Sequence, residues 1–332
     1  TVGLAMVNIF KPGDVFPESK QDQYREQFSG QIEIRQESAR EFEKQSPLFF
    51  FEDMIPENFF RAAGDNSKML QIIFFAILFS IALVLVPGDK TQVVKDFFDG
   101  LNDVILKIVD LIMRFAPIGV FALMAALVVD FSGDVDIFTA LGMYMITVTI
   151  GLFLLILGLY PLLMRFFARI RIIDFLRGIL PAQLVAFTTS SSAATLPVTL
   201  KQVTTELKVP KPIANFVLPV GVTINMDGTS CYQAIAAVFI AQVFGIDLTL
   251  MQQLTIVLTA TLASIGSPGI PSGSIVMLII VLNSVGLPVE GLALILGVDR
   301  PLDMLRTVVN ITGDSTVSSI VAKSEGELDT NS

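Results

Sequence analysis

The run Ser264-Ile-Gly-Ser-Pro-Gly-Ile-Pro-Ser-Gly-Ser274 stands in the middle of residues 248–289, a stretch of 42 positions without one charge. As a single helix such a stretch would be about 63 Å long, roughly twice the 30 Å hydrocarbon core of a bilayer. Its Gly- and Pro-rich centre interrupts any continuous helix. The consistent solution is a hairpin of two helices with a polar tip. Non-helical backbone at membrane depth is tolerated only where protein surrounds it or it lines a cavity, so the tip belongs inside the protein. Residues 172–204 follow the same plan, with the tip Thr188-Thr-Ser-Ser-Ser192.

The rest of the chain agrees with a membrane setting. The 332 residues are 53% hydrophobic and 16% charged, with a mean hydropathy of +0.70; soluble domains carry about 25% charged residues. Thirteen of the 53 charges lie in positions 14–44, which leaves 40 for the other 301 residues. Three further charge-free runs, 69–86, 115–129 and 137–164, read as membrane helices, the middle one extended by an amphipathic lead-in at 104–114. The fold class is therefore an all-α integral membrane protein, multi-pass, with two re-entrant helical hairpins. Composition also excludes chemistries. There is no His and a single Cys, which removes imidazole catalysis, an intrachain disulfide and zinc-finger or iron–sulfur ligation. A net charge of −9 without a basic run excludes nucleic acid as a partner.

Lys and Arg set the orientation. Seven of them lie between Arg165 and Lys211 against two acids, and none lies between Pro212 and Asp299. The flanks of the first hairpin are expected on the cytoplasmic side. The connections near 245–247, 287–290 and 130–136, and the polar segment 11–47, are expected outside. Residues 1–10 read as the end of an apolar span, without the basic start of a signal peptide, so the chain is expected to be N-terminally incomplete.

Each hairpin precedes a helix with a related motif: Asn225-Met-Asp-Gly-Thr229 after the first, Asn310-Ile-Thr-Gly-Asp314 after the second. Two hairpin-plus-helix units of opposite entry side form an inverted repeat with two broken helices, and such repeats place the binding site at their interface. In the last helix, Asp299, Asp303, Arg306, Thr307, Asn310 and Asp314 fall on one face about 100° wide. Intramembrane charges of this kind mark ion or substrate paths, although an ion-paired lock between helices would share the pattern. The Asn225–Thr229 motif lies in a run whose one charge is Asp227, broken by Gly221 and Gly228, where freed carbonyls and that carboxylate suit a small cation. At Ser190–Ser192 the free N–H groups of a helix start would attract an anion. Cys231 is read as packing.

These residues closely resemble the dicarboxylate/amino acid:cation symporter family, which includes glutamate and aspartate transporters, in a bacterial-type form. The resemblance rests on Thr189-Ser-Ser-Ser192 with Ala194-Thr-Leu-Pro197, on the run from Leu218 to Thr229, on Ala263-Ser-Ile-Gly266, and on Asp303–Asn310 with Gly313-Asp314. It implies a homotrimer in the cell (inner) membrane, in which an elevator mechanism couples sodium or proton entry to uptake of aspartate or glutamate. No cofactor is implied beyond Na+ as coupling ion. It implies substrate contacts from Ser190, Ser191, Thr229, Gly269 and Ile270, with Asp303 on the α-ammonium, Arg306 on the side-chain carboxylate, and Thr307 and Asn310 on the remaining polar groups. Cation ligands would be Gly221, Thr223, Asn225, Asp227, Ser264, Ile265, Ser267, Asn310 and Asp314. The resulting organisation is scaffold helices at 48–134 and a transport domain at 135–324. That domain would hold hairpin one at about 172–204, a broken helix at about 211–245, hairpin two at about 248–284 and a last helix at about 288–322, before a cytoplasmic tail at 325–332.

The chain departs from the family at Thr189 and Met304, where many members carry a second Arg, which bears on potassium counter-transport. It also has Ser272 and Ser274 where archaeal members have Gly. A C4-dicarboxylate symporter is the near rival. An anion channel would not need an Arg–Asp pair shaped for an amino acid. An intramembrane aspartyl protease on Asp227 and Asp314 calls for Gly-x-Gly-Asp, where this chain has Ile311-Thr-Gly-Asp314. The tip at 264–274 is expected to act as an external lid closed by cation and substrate. A Cys placed at Ser272, with Cys231 replaced, should react with a membrane-impermeant thiol reagent, and sodium plus aspartate should slow that reaction. Equal rates in both conditions would contradict the lid.

Overall fold

The computed structural model describes residues 1–16, 58–63, 69–115, 135–265 and 273–328, with the single positions 55, 56, 118, 121, 122, 125 and 269. All regular structure among the described residues is helical. The chain divides into two compact units, one of Thr1–Arg35 with Gly133–Ser332, the other of Gln36–Ser132. The larger begins with α1 (Val2–Phe10), followed by a 3₁₀ turn at Pro12–Val15; the remainder of the polar segment 11–47 lies outside the described residues. The smaller holds α2 (Phe59–Ala63), α3 (Met69–Leu85) and α4 (Gly88–Met113). In it, α3 is apolar on all sides and meets α2 through Phe59 and Phe75, whose ring centres are 4.2 Å apart.

The amphipathic lead-in at 104–114 does not extend the next span. It is the second half of α4, which starts at Gly88, carries Lys90, Lys95, Asp96 and Asp99 in its first half, and ends at Met113. Pro117, three residues on from Arg114, is the sequence signal for that boundary. Most of the span expected at 115–129 lies outside the described residues.

The larger unit carries the polar residues of interest. Helix α5 (Val135–Phe153) runs without interruption into a π-helical stretch at Leu154–Leu159, a short α6 (Tyr160–Leu163) and a second π-helical stretch at Met164–Ala168. The charge-free run 137–164 is thus one helix whose second half is wound wide. Pro161 supplies the cause: it has no N–H for the carbonyl four residues back, and the neighbouring Tyr160 N–H reaches five residues back to Leu155 O. After Arg169 come α7 (Ile172–Thr189) and α8 (Ser192–Thr205), packed on each other and joined by Ser190 and Ser191. Ser190 takes the left-handed conformation (φ 52°), which turns the chain, and the Ser191 hydroxyl caps α8 by accepting from Ala194 N at 3.2 Å.

Helices α9 (Lys211–Ile224) and α10 (Asp227–Val243) are separated by Asn225 and Met226, both outside the helical region of backbone space. The break therefore falls between the two glycines expected to cause it. Those glycines serve close approach instead. A Cβ on Gly221 would lie 2.5 Å from Asp314 Oδ1, and one on Gly228 would lie 2.7 Å from the Arg306 carbonyl. Helix α10 is buried along nearly its whole length, and α11 (Leu250–Ile265) and α12 (Gly273–Ser284) pack beside it. Residues 266–268 and 270–272, between α11 and α12, lie outside the described residues.

A 3₁₀ turn at Val289–Gly291 leads into α13 (Leu292–Ser324), 33 residues long. The second broken helix expected at Asn310–Asp314 is absent: α13 is continuous through both motif ends. One glycine inside a helix costs only about 1 kcal/mol against Ala, too little to unwind a helix packed on α5, α7, α8, α9 and α10. Gly313 gives room to its neighbours, since a Cβ there would lie 2.9 Å from Asn225 Nδ2 and 3.0 Å from the Tyr160 hydroxyl. Large apolar side chains face outward over much of this unit, for example Leu184, Phe216, Leu254 and Val276, while Asp299, Arg306 and Asp314 are buried. The helical stretches 138–168 and 172–189 are long and apolar enough to cross a membrane.

The close approach of α10 to α13 makes a stability prediction. Gly228→Ala places a methyl 2.7 Å from backbone and 2.9 Å from Val309 Cβ, and overpacking of this kind costs about 1–3 kcal/mol. Gly142→Ala in α5 meets nothing within 4 Å and should be neutral or stabilising by up to about 1 kcal/mol. Thermal unfolding of the two variants in detergent should separate them in that order.

Candidate functional site

Three polar groups stand out, two of them around the middle of α13 and the third at the start of α8. In the first, Arg306 is buried to 1% exposure and donates from Nη1 to Asp299 Oδ1 and from Nη2 to Asp303 Oδ1, each at 2.8 Å. Its guanidinium carbon lies 3.8 Å from the ring centre of Tyr232 on α10, a cation–π contact. Arg300 Nη1 stands 3.8 Å from Asp303 Oδ2. Thr307 donates back to the Asp303 carbonyl at 2.8 Å, the usual satisfaction of a hydroxyl inside a helix. Buried charges persist in an apolar interior when they are paired and hydrogen-bonded, and this group meets that condition with side chains of α10 and α13. Among the described residues Arg306 Nε has no hydrogen-bond partner.

The second group surrounds the break between α9 and α10. Asp227, at the start of α10, accepts from the Tyr160 hydroxyl at Oδ2 (2.8 Å), and Asp314 accepts from Asn225 Nδ2 at Oδ1 (3.0 Å). Asp314 is buried to 1% exposure against Gly221. Among the described residues neither carboxylate has a Lys or Arg within ion-pair distance. Asn310 ties this group to the first: its Oδ1 accepts from Gly228 N at 2.9 Å, and its Nδ2 reaches the Thr229 hydroxyl at 3.4 Å.

The third group is where the two helix pairs touch. The Ser191 hydroxyl donates to the Gly269 carbonyl at 2.8 Å, and Ala193 N bonds the same oxygen at 3.3 Å. The Gly269 carbonyl therefore takes the acceptor place at the start of α8, where an anion would otherwise sit. Ser190 Oγ is buried without a partner among the described residues. Ser264 lies in α11 against α10, accepting a 2.7 Å bond from the Ser230 hydroxyl.

Of the residues singled out from sequence, Asp303, Arg306, Thr307, Asn310 and Thr229 lie where α10 packs on α13, while Asp314 faces Gly221 and Asn225 at the break, with Asp227 beside it. Ser190, Ser191 and Gly269 form a separate contact at the start of α8. Ser264 and Ile265 end α11, and the Thr223 side chain points outward and bonds its own helix at Val220 O. Ser267 and Ile270 lie outside the described residues. Sequence reasoning missed Tyr160 and Tyr232, and gave Asp299 a place on the polar face but no role. A signal was present: the chain has only four Tyr, and a phenol in an apolar run needs a partner when buried.

A helical membrane protein that buries ionised residues beside a helix break has the build of a solute carrier. The chain belongs to the Sodium:dicarboxylate symporter family, whose sequence pattern matches residues 1–324. It is 45% identical over 267 residues to excitatory amino acid transporter 3 of Mus musculus, covering 80% of this chain and 51% of that protein. It is 45% identical over 248 residues to excitatory amino acid transporter 4 of Rattus norvegicus (74% and 44%), and 44% identical over 270 residues to excitatory amino acid transporter 1 of Ambystoma tigrinum (81% and 49%). The chain spans about half the length of the curated relatives it matches.

One buried carboxylate, Asp314, and one half-buried carboxylate, Asp227, each held by a neutral donor among the described residues, leave negative charge that a cation can neutralise. Asp314→Asn keeps the shape and removes one of those charges. The variant is expected to unfold at a higher temperature than the parent without added cation, and to gain less from sodium chloride over choline chloride. Thermal unfolding in both salts checks this, and an unchanged sodium increment would contradict it.

Proposed function

We propose that the chain forms part of a membrane carrier that couples entry of sodium, or of protons, to uptake of the acidic amino acids aspartate and glutamate. The observation that carries the reading is the Arg306 group: one fully buried guanidinium held between two aspartates, on the same helix face as Asn310 and Asp314. A zwitterion with an extra acid fits it by exchange of partners. The substrate ammonium takes Asp303, and the Nη2 donor so released takes the side-chain carboxylate through charge-assisted hydrogen bonds. Asp299 and the Tyr232 face hold the guanidinium meanwhile. Ser190, Ser191, Thr229, Gly269, Ile270, Thr307 and Asn310 complete the substrate site, and the start of α8 becomes available to the main-chain carboxylate when the Gly269 carbonyl leaves it.

Sodium would be held by hard oxygen donors: the carboxylates of Asp227 and Asp314, and carbonyls of Gly221, Thr223, Asn225, Asn310, Ser264, Ile265 and Ser267. Supporting this are the break at Asn225–Met226, which frees carbonyls, and the two carboxylates without a basic partner. In the same reading, α7–α8 and α11–α12 are re-entrant hairpins of an inverted repeat. Residues 135–324 then form the transport domain that moves as an elevator against scaffold helices at 48–134. Residues 325–332 form a cytoplasmic tail, and three copies assemble in the cell (inner) membrane. A C4-dicarboxylate is the second reading, favoured by the family's name. It lacks the ammonium that would exchange for Arg306 at Asp303, so it would meet that carboxylate as a like charge.

The test is a sodium-dependent thermal-shift and uptake screen of aspartate, glutamate, succinate and serine on parent and Arg306→Ala. The variant should lose acidic substrates by at least about 3 kcal/mol, the range for truncating one partner of a buried charge pair. Serine should bind equally or better, because the buried cation that disfavours it has gone. A variant that keeps the parent's aspartate-to-serine ratio would overturn the assignment of Arg306, and succinate stabilising the parent more than aspartate would favour the dicarboxylate.

A further inference from the structure

We infer that Tyr160 is a positioning residue for cation binding, acting through Asp227. The inference rests on the reading of Asp227 and Asp314 as sodium ligands and adds a residue from a different helix to that site.

Tyr160 is 3% exposed, and its hydroxyl donates to Asp227 Oδ2 at 2.8 Å across 67 residues of chain. The point of contact is built by three elements at once. A Cβ on Gly313 of α13 would lie 2.9 Å from Asn225 Nδ2, 3.0 Å from the Tyr160 hydroxyl and 3.1 Å from Asp227 Oδ2. The missing methyl of one glycine thus makes the space in which a phenol, an amide and a carboxylate converge. The helix that brings the phenol there is itself irregular. Tyr160 opens the four-residue α6, with a π-helical stretch on each side. Each wide turn changes the direction in which the following residues point, and π-helical insertions recur at functional sites.

The donor's chemistry matters as much as its place. A Lys or Arg at this position would neutralise Asp227 and compete with a cation. A phenol hydroxyl donates one hydrogen bond and leaves the full negative charge. It fixes the rotation of the carboxylate, so that Oδ1 is aimed while Oδ2 is held. Asn225 does the same for Asp314, taking Oδ1. Each acid is therefore oriented by one neutral donor and keeps one oxygen for the ion. A carboxylate tethered at one oxygen cannot swing inward to follow a smaller ion. The tether should thus bear on the choice between sodium and lithium as well as on affinity.

The test uses Tyr160→Phe, which removes the hydroxyl and keeps the ring, in the full chain reconstituted in lipid nanodiscs. Thermal unfolding is followed against sodium, lithium and choline chloride. The half-saturating sodium concentration is expected to rise about tenfold, the low end of losses seen when a ligand's supporting partner is removed. The lithium-to-sodium affinity ratio should move toward lithium, and the aspartate-to-serine preference at saturating sodium should stay at the parent value. A variant whose sodium half-saturation and ion ratio match the parent would overturn the inference and leave the sodium reading intact. A parent that gains no more from sodium than from choline would overturn the sodium reading and the inference with it. Should Tyr160→Phe not fold, Gly313→Ala serves: its methyl crowds the hydroxyl and Asp227 Oδ2 apart, so parental sodium affinity and ion ratio in that variant would equally count against Tyr160.

Discussion

An ion inside an apolar medium needs a partner, and α13 is organised around that need. Taking a carboxylate or guanidinium out of water costs several kcal/mol even after relaxation. Asp299, Asp303, Arg306 and Asp314 are nevertheless buried on this one helix. The first three satisfy one another, with Tyr232 stacked on the guanidinium. Asp314 has no such partner among the described residues and is met by an amide from the break between α9 and α10. The neighbours of α13 are arranged around these groups: α10 brings Tyr232, Gly228 and Asp227, α9 brings Gly221, and α6 brings Tyr160 to Asp227.

Glycine is the means by which the helices come close enough. Gly221, Gly228 and Gly313 each stand where a methyl group would strike a polar atom of another element. Their positions line the route from the Arg306 carbonyl to the Asp314 carboxylate. A helix of 33 residues can then stay continuous while its partner helix is interrupted. The interruption at Asn225–Met226 exposes backbone beside two carboxylates, and the continuous helix supplies the rigid wall they face.

In the proposed mechanism the same arrangement couples substrate to cation. Asn310 bonds Gly228 N and Thr229 at the start of α10, one helical turn from both Arg306 and Asp314. A cation that settles the carboxylates at the break therefore orders the backbone that Asn310 holds, and Asn310 adjoins the Arg306 group. Linkage makes such an effect reciprocal. The contact between Ser191 and the Gly269 carbonyl offers a second control, because the start of α8 cannot receive an anion while that carbonyl occupies it.

What the amino-acid sequence determined by itself were properties that depend on local pattern. Charge-free length separates membrane helices from loops, and the polar face of the last helix follows from its 3.6-residue period. The family is legible in Asn225–Thr229 and Asp303–Asn310. What only the tertiary structure decided were pairings between distant segments. Whether Gly313 would break α13 could not be read locally, because the packing of five neighbouring helices outweighs the small propensity cost of one glycine. The amphipathic stretch at 104–114 has the same period whether it ends one helix or begins another. Tyr160 meets Asp227 across 67 residues, and its direction is set by two wide helical turns around Pro161. No spacing rule reports that direction, since a π-helical insertion alters the period on which such rules rest.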